Sequence, residues 1–130
     1  MYEPLYYVAH PVAADTEYTY EENLEHALWC YRQVLNAGYA AFMPWHTMLL
    51  VAPDGDVHWR TRGIKLDCLA VARFDGIILT GHKLSGGMQR ELLTFAMCGD
   101  TDLPDGQAII DVTGVPDSRL LIELKKKRHG

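Results

Sequence analysis

Apolar positions along this chain fall in short blocks that alternate between two spacings. Leu5 to Ala9 (L-Y-Y-V-A) is a compact run rich in strand formers, bounded by Pro4 and by His10-Pro11. It reads as a central parallel strand. Glu21 to Ala37 carries Leu24, Ala27, Leu28, Tyr31, Val34 and Leu35 at helical spacing, and Gly38 follows as a stop. Tyr39 to Met43 predicts a second strand, ended by Pro44. A second helix is predicted over 61–73, with Ile64, Leu66, Leu69, Ala70 and Val71 as its apolar positions. Phe74 to Thr80 reads as the third strand, Gly87 to Cys98 as the third helix, and Ala108 to Val112 as the fourth strand. Ser118 to Lys127 fits either a last helix or a strand with a frayed tail. Val12 to Tyr20, Trp45 to Trp59 and Gly99 to Gly106 read as irregular connections, the middle one turning at Pro53-Asp54-Gly55-Asp56.

Strands that alternate with helices predict an α/β domain built from right-handed β-α-β units. The expected architecture is a small doubly wound parallel sheet, flavodoxin-like or Rossmann-like, with four or five strands and flanking helices. One domain spans 1–130, with 117–130 as a C-terminal helix or tail. Ligands of such sheets bind beyond the carboxyl ends of the strands. That rule gathers His10 and Pro11, then Pro44 to His46, then Gly81 to Gly87 around one cleft.

Composition narrows the partners. The formal charge is -5, from 17 acidic and 12 basic residues, which argues against a nucleic-acid surface. The one basic run, Lys125 to Arg128, reads as a solvated helix end or tail. Cys30, Cys68 and Cys98 have no C-x-x-C spacing and read as plain buried thiols of a reducing compartment. The six histidines show no H-x-x-x-H or H-E-x-x-H spacing, so no metal site is expected. No apolar run reaches bilayer length and Met1 to Pro4 does not open a signal peptide, so the expected location is cytoplasmic, with no membrane partner.

The densest chemistry lies in Asp75 to Glu91, D-G-I-I-L-T-G-H-K-L-S-G-G-M-Q-R-E. A strand there runs into Ser85-Gly86-Gly87, and a helix starts straight after. Unpaired N–H groups and the helix dipole make such a start an anion site. Glu91, about a turn further on, is either a solvated surface group or a carboxylate tuned by burial beside that site. Asp67 is a charge within an apolar helical stretch, placed for a salt bridge with Lys65 or Arg73 or for the cleft. Tyr6 and Tyr7 point to opposite faces of the first strand. His10, His46 and His82 each follow a strand and are candidates for the cleft wall. The chain lacks G-x-G-x-x-G after its first strand, the P-loop and the G-x-S-x-G elbow, which disfavours dinucleotide, ATP and serine-nucleophile chemistry. No cofactor is expected.

Three stretches carry a resemblance: Y-V-A-H-P (Tyr7–Pro11), L-D-C-L-A-V-A-R-F-D-G-I-I-L (Leu66–Leu79) and S-G-G-M-Q-R-E-L-L-T-F-A (Ser85–Ala96). In order and spacing they resemble the nucleoside 2-deoxyribosyltransferase superfamily, and most of all its nucleotide-preferring branch, the 2'-deoxynucleoside 5'-monophosphate N-glycosidases. The resemblance implies that Glu91 attacks the anomeric carbon, that Asp67 assists protonation of the leaving base, and that Tyr7 positions the glutamate. It implies a 5'-phosphate at Ser85, Gly86 and Gly87, where nucleoside-specific members usually carry an aspartate. His10, Pro11 and His46 fall where the substrate is lined. His10 departs from the family's usual glycine, and either narrows the approach to the sugar or base or supplies a new hydrogen bond. The segment from Trp45 to Trp59 is longer than expected and could form a lid or a base-selecting wall through Trp45, His46 and Trp59. The family's members are commonly dimers or larger, which implies a homo-oligomer. Rival readings are a non-catalytic nucleotide-binding module and a phosphoribohydrolase, whose P-G-G-x-G-T-x-x-E signature is only partly echoed here.

Overall fold

The structure, a computed structural model, describes residues 3–51 and 57–129. The turn expected at Pro53 to Asp56 lies outside the described residues. The elements run β1 (Leu5–Ala9), α1 (Tyr20–Asn36), β2 (Ala40–Phe42), α2 (Pro44–Val51), α3 (Val57–Val71), β3 (Gly76–Leu79), α4 (Gly86–Cys98), α5 (Asp105–Ala108), β4 (Ile109–Asp111) and α6 (Asp117–His129).

The four strands form one parallel sheet in the order β2-β1-β3-β4. Tyr7 stands opposite Phe42 on one side and Ile77 on the other, and Leu79 stands opposite Asp111. This is a small doubly wound α/β fold. The chain leaves β1 toward β2 and later returns on the other side as β3, so the strand order reverses at β1 and β3. Tyr7, Val8, Ile77 and Ile78 are completely buried, as a strand covered on both faces requires. Tyr6 and Tyr7 do face opposite sides. The Tyr6 ring packs edge-on against Tyr39, whose hydroxyl donates to the Leu124 carbonyl of α6. Tyr7 packs edge-on against Phe74 and reaches α4.

Local signals explain the element ends. Thr19 and Glu22 form a reciprocal capping box that starts α1 one residue before the expected position. β3 is shorter than the run Phe74 to Thr80 because Asp75 turns back: its carboxylate accepts from the Leu5 N–H at 2.8 Å. Gly76 then passes under the Tyr6 ring, where a Cβ would stand 2.4 Å from a ring carbon. Gly81 takes φ +95° and brings the exit of β3 against Pro11.

Three expectations change. The segment from Trp45 to Trp59 is not irregular where it is described: it holds α2 and the start of α3. Pro44, read as a strand stop, is also the first residue of α2, where its fixed φ and missing N–H cost nothing. Gly99 to Gly106 is not all loop, since α5 opens at Asp105 and takes Ala108 from the expected fourth strand. Of the two readings of the C-terminal segment, the helix holds: α6 packs on α1 and buries Leu120 and Leu124. Among the described residues no helix is long and apolar enough to cross a membrane.

Candidate active site

A cleft of about 560 Å³ opens at the carboxyl ends of β1 and β3. The β1 exit (His10, Pro11), α2 (Trp45, Met48, Leu49), α3 (Asp67) and the start of α4 (Ser85, Gly86, Gly87, Glu91) all line it. Trp45 is fixed there: its indole N–H donates to the Val8 carbonyl at 2.8 Å.

Glu91 and Tyr7 meet directly. The Tyr7 hydroxyl donates to Glu91 Oε2 in a short hydrogen bond. Burial lifts Glu91 from the ordinary carboxylate range to about 7; the Tyr7 hydrogen bond opposes this, the charge of Asp67 adds to it, and Arg90 opposes it weakly. Burial alone lifts Asp67 to about 7. Tyr7 is pushed far above the usual phenol range, first by burial and then by the charges of Glu91 and Asp67, so it stays a fixed donor. Among the described residues Asp67 forms no ion pair with Lys65 or Arg73; the Arg73 guanidinium instead donates to the Leu69 carbonyl.

Ser85 caps α4, and its Oγ accepts from the Met88 N–H at 3.3 Å. The Gln89 N–H is taken by the Ser85 carbonyl. Among the described residues the N–H groups of Gly86 and Gly87 have no acceptor. They open into the cleft with Lys83 and Arg90 on its lining. The helix start thus offers two free donors and the positive end of its dipole beside the carboxylates, while Lys83 is paired with Asp15 at 2.8 Å on the same lining.

The structure thus brings Asp67, Ser85, Gly86, Gly87, Glu91, His10 and Pro11 to one cleft, with Tyr7 fully buried behind it and bonded to Glu91. Two histidines do not reach it. His46 is not on the cleft lining, because Pro44 starts a helix that turns its ring against the edge of Trp45 instead. His82 lies on a second cavity and contacts Asp15 at 3.1 Å. His10 is on the lining but only 3% exposed, with both ring nitrogens engaged by Pro11 and His26. It therefore does not offer a free donor to a bound substrate. Of the suggested wall, Trp45 and Trp59 line the cleft. The sequence reading missed Lys83 and Arg90. The Lys-Leu-Ser-Gly-Gly run and the arginine just before Glu91 were the available signals.

No curated protein and no solved structure matches the chain. A family model does match, over residues 4–98, a stretch that takes in Tyr7, Asp67, Ser85 and Glu91. The chain belongs to that family, described as a domain of unknown function (DUF7768).

Proposed function

We propose that this protein is an N-glycosidase or 2-deoxyribosyltransferase that cleaves the base–sugar bond of (deoxy)nucleoside 5'-monophosphates, with Glu91 as nucleophile. The observation that carries the reading is the Tyr7–Glu91 hydrogen bond in the same cleft as Asp67 and the open start of α4. Breaking a C–N glycosidic bond builds positive charge on the sugar, which a carboxylate stabilises and can trap. The departing base needs a proton. Two carboxyl groups lifted to about 7 in one cleft will not readily ionise together. The Tyr7 hydroxyl is directed at Glu91 and holds it in place, so we assign Glu91 the ionised role and Asp67 the proton. That division gives an ionised nucleophile and a protonated acid, as in a retaining glycosidase. The 5'-phosphate is held by the Gly86 and Gly87 N–H groups and Arg90, and by Lys83 once it exchanges its Asp15 partner for the phosphate.

Leu69, Leu93 and Met97 leave apolar side chains exposed on α3 and α4, which supports a homo-oligomer through those helices. Free cysteines at 30, 68 and 98 fit a reducing, cytoplasmic setting.

The test is incubation with each common nucleoside monophosphate, modified pyrimidines included, and chromatography for free base. Wild-type protein should release base, and Glu91→Ala should not. Stoichiometric nucleotide binding with no base from any of them would instead favour the non-catalytic binding module.

A further inference from the structure

Behind the cleft, on the α1 side of β1, lies a second cluster of chemically active side chains. His10 Nε2 is 2.8 Å from His26 Nδ1, and the Cys30 sulfur is 3.8 Å from that same nitrogen. One donor atom from each of the three residues lies within 4.8 Å of the others. His10 and Cys30 are buried, and His26 is about one-third exposed. His26 and Cys30 sit one turn apart on α1, and His10 is delivered to them by the end of β1.

The outer partners of the two imidazoles are already in place. His10 Nδ1 is 2.7 Å from the Pro11 carbonyl and must donate to it. His26 Nε2 is 2.8 Å from Asp117 Oδ1 at the start of α6 and donates to that carboxylate. A carbonyl and a carboxylate thus fix the two tautomers so that His10 Nε2 and His26 Nδ1 face each other. Two neutral imidazoles spend their two hydrogens on the outer contacts, so the 2.8 Å contact between them needs a third hydrogen or a cation. A cation placed there displaces only that hydrogen and the thiol proton of Cys30. Both outer hydrogen bonds survive, in the arrangement that metal-bound histidines show.

We propose that His10 Nε2, His26 Nδ1 and Cys30 Sγ bind a divalent transition metal of the zinc class. Two imidazoles and a thiolate suit a borderline-soft ion and disfavour magnesium or calcium. At zinc–nitrogen distances of about 2.0–2.1 Å and a zinc–sulfur distance of about 2.3 Å, tetrahedral geometry needs roughly 3.3 Å between the nitrogens and roughly 3.6 Å from sulfur to nitrogen. The sulfur is 3.8 Å from His26 Nδ1 and 3.7 Å from His26 Nε2, and it lies within 4.8 Å of the His10 donor atom, so binding needs the His26 ring to turn its Nδ1 edge toward the sulfur. The nitrogens must part by about half an ångström, a small swing for the partly exposed His26 ring. Three protein donors leave a fourth position for a water or small anion, and His26 also borders a second cavity of about 670 Å³ with Gly81, His82 and Asp117. The assignment stands whether or not the cleft cleaves nucleotides.

The experiment is a cobalt(II) titration of chelator-treated, full-length protein carrying no histidine tag, followed by absorbance and then by zinc(II) competition. The expected result is saturation at one cobalt per chain, with the strong visible bands of tetrahedral cobalt, a thiolate charge-transfer band in the near ultraviolet, and displacement by zinc. Cys30→Ser should lose the charge-transfer band, whereas Cys68→Ser and Cys98→Ser keep it. Asp117→Ala, a change at an exposed position, should weaken binding about 10–100-fold. Wild-type protein that shows no stoichiometric cobalt spectrum overturns the proposal, even if a core variant fails to fold. So does a thiolate band that persists in Cys30→Ser.

Discussion

Replacing Glu91 by glutamine should stabilise the protein at pH 8 while removing its proposed nucleophile. Glu91 is raised from 4.5 to about 7, chiefly by burial. Below pH 4.5 the carboxyl is neutral in folded and unfolded chains alike, and burial costs nothing extra. Between 4.5 and about 7 the unfolded chain releases the proton and the folded chain holds it, so stability falls as pH rises. Above about 7 both states are ionised and the loss is constant. The shift of roughly 2.5 units corresponds to about 3 kcal/mol. The repulsion from Asp67 is part of that shift, and it too disappears with the charge. A gain of about 3 kcal/mol for Glu91→Gln is therefore expected at pH 8, shrinking to about zero at pH 4.5. The assay is urea unfolding followed by tryptophan fluorescence at four pH values from 4.5 to 8. Glu21→Gln, on the exposed side of α1, serves as the control. Equal stability of wild type and Glu91→Gln at pH 8, or the same gain at pH 4.5, would refute a carboxylate raised by burial at this position.

Tyr7→Phe removes the donor to Glu91, a charge-assisted bond worth about 1.5–3 kcal/mol, so the acidic limb of kcat/KM should move up by about 1–2 pH units; a limb that stays in place contradicts the positioning role. Ser85→Asp keeps a capping oxygen but sets a negative charge beside the phosphate cradle. About 2 kcal/mol of repulsion, roughly 30-fold weaker nucleotide binding by calorimetry with nucleoside binding unaffected, is expected. Gly76→Ala drives a methyl to 2.4 Å from the Tyr6 ring and threatens the hydrogen bond from Tyr6 to the Gln107 carbonyl, so denaturant unfolding should show a loss of about 1–3 kcal/mol or more.

The sheet and the helices around it were legible because strands buried on both faces are short apolar runs with clear punctuation. L-Y-Y-V-A between two prolines is the plainest case. α2 was not legible. P-W-H-T-M-L-L-V has almost no polar face, and the helix buries Trp45 while leaving Leu50 and Val51 exposed. Periodicity cannot detect a helix whose outward face is also apolar. Error there misplaced His46, since a loop would have hung it over the cleft and a helix turns it away. Asp67 and Glu91 were found through motif spacing, yet their burial depends on α3 packing against α4, a contact that no local pattern encodes. The His10–His26–Cys30 cluster escaped for the same reason. Its third member comes from the residue just after β1, and a search for closely spaced ligands does not cross from one element to the next.

The two halves of this site meet at His10. A histidine where a small residue is expected would crowd a sugar if its ring turned into the cleft. The ring instead lies against α1, edge-on to His26, with its nitrogens committed to the Pro11 carbonyl and to His26. Gly81 closes the other side, its left-handed backbone carrying it against Pro11 with no side chain to clash. The wall that Pro11 presents to the cleft is therefore held from behind by polar contacts that run through His26 to α6. Changes at His26 or Asp117, neither of which lines the cleft, should reach substrate binding through Pro11 and leave the Tyr7–Glu91 pair intact. KM should then rise while the pH dependence of kcat stays fixed, which separates support of the wall from chemistry at the carboxylates.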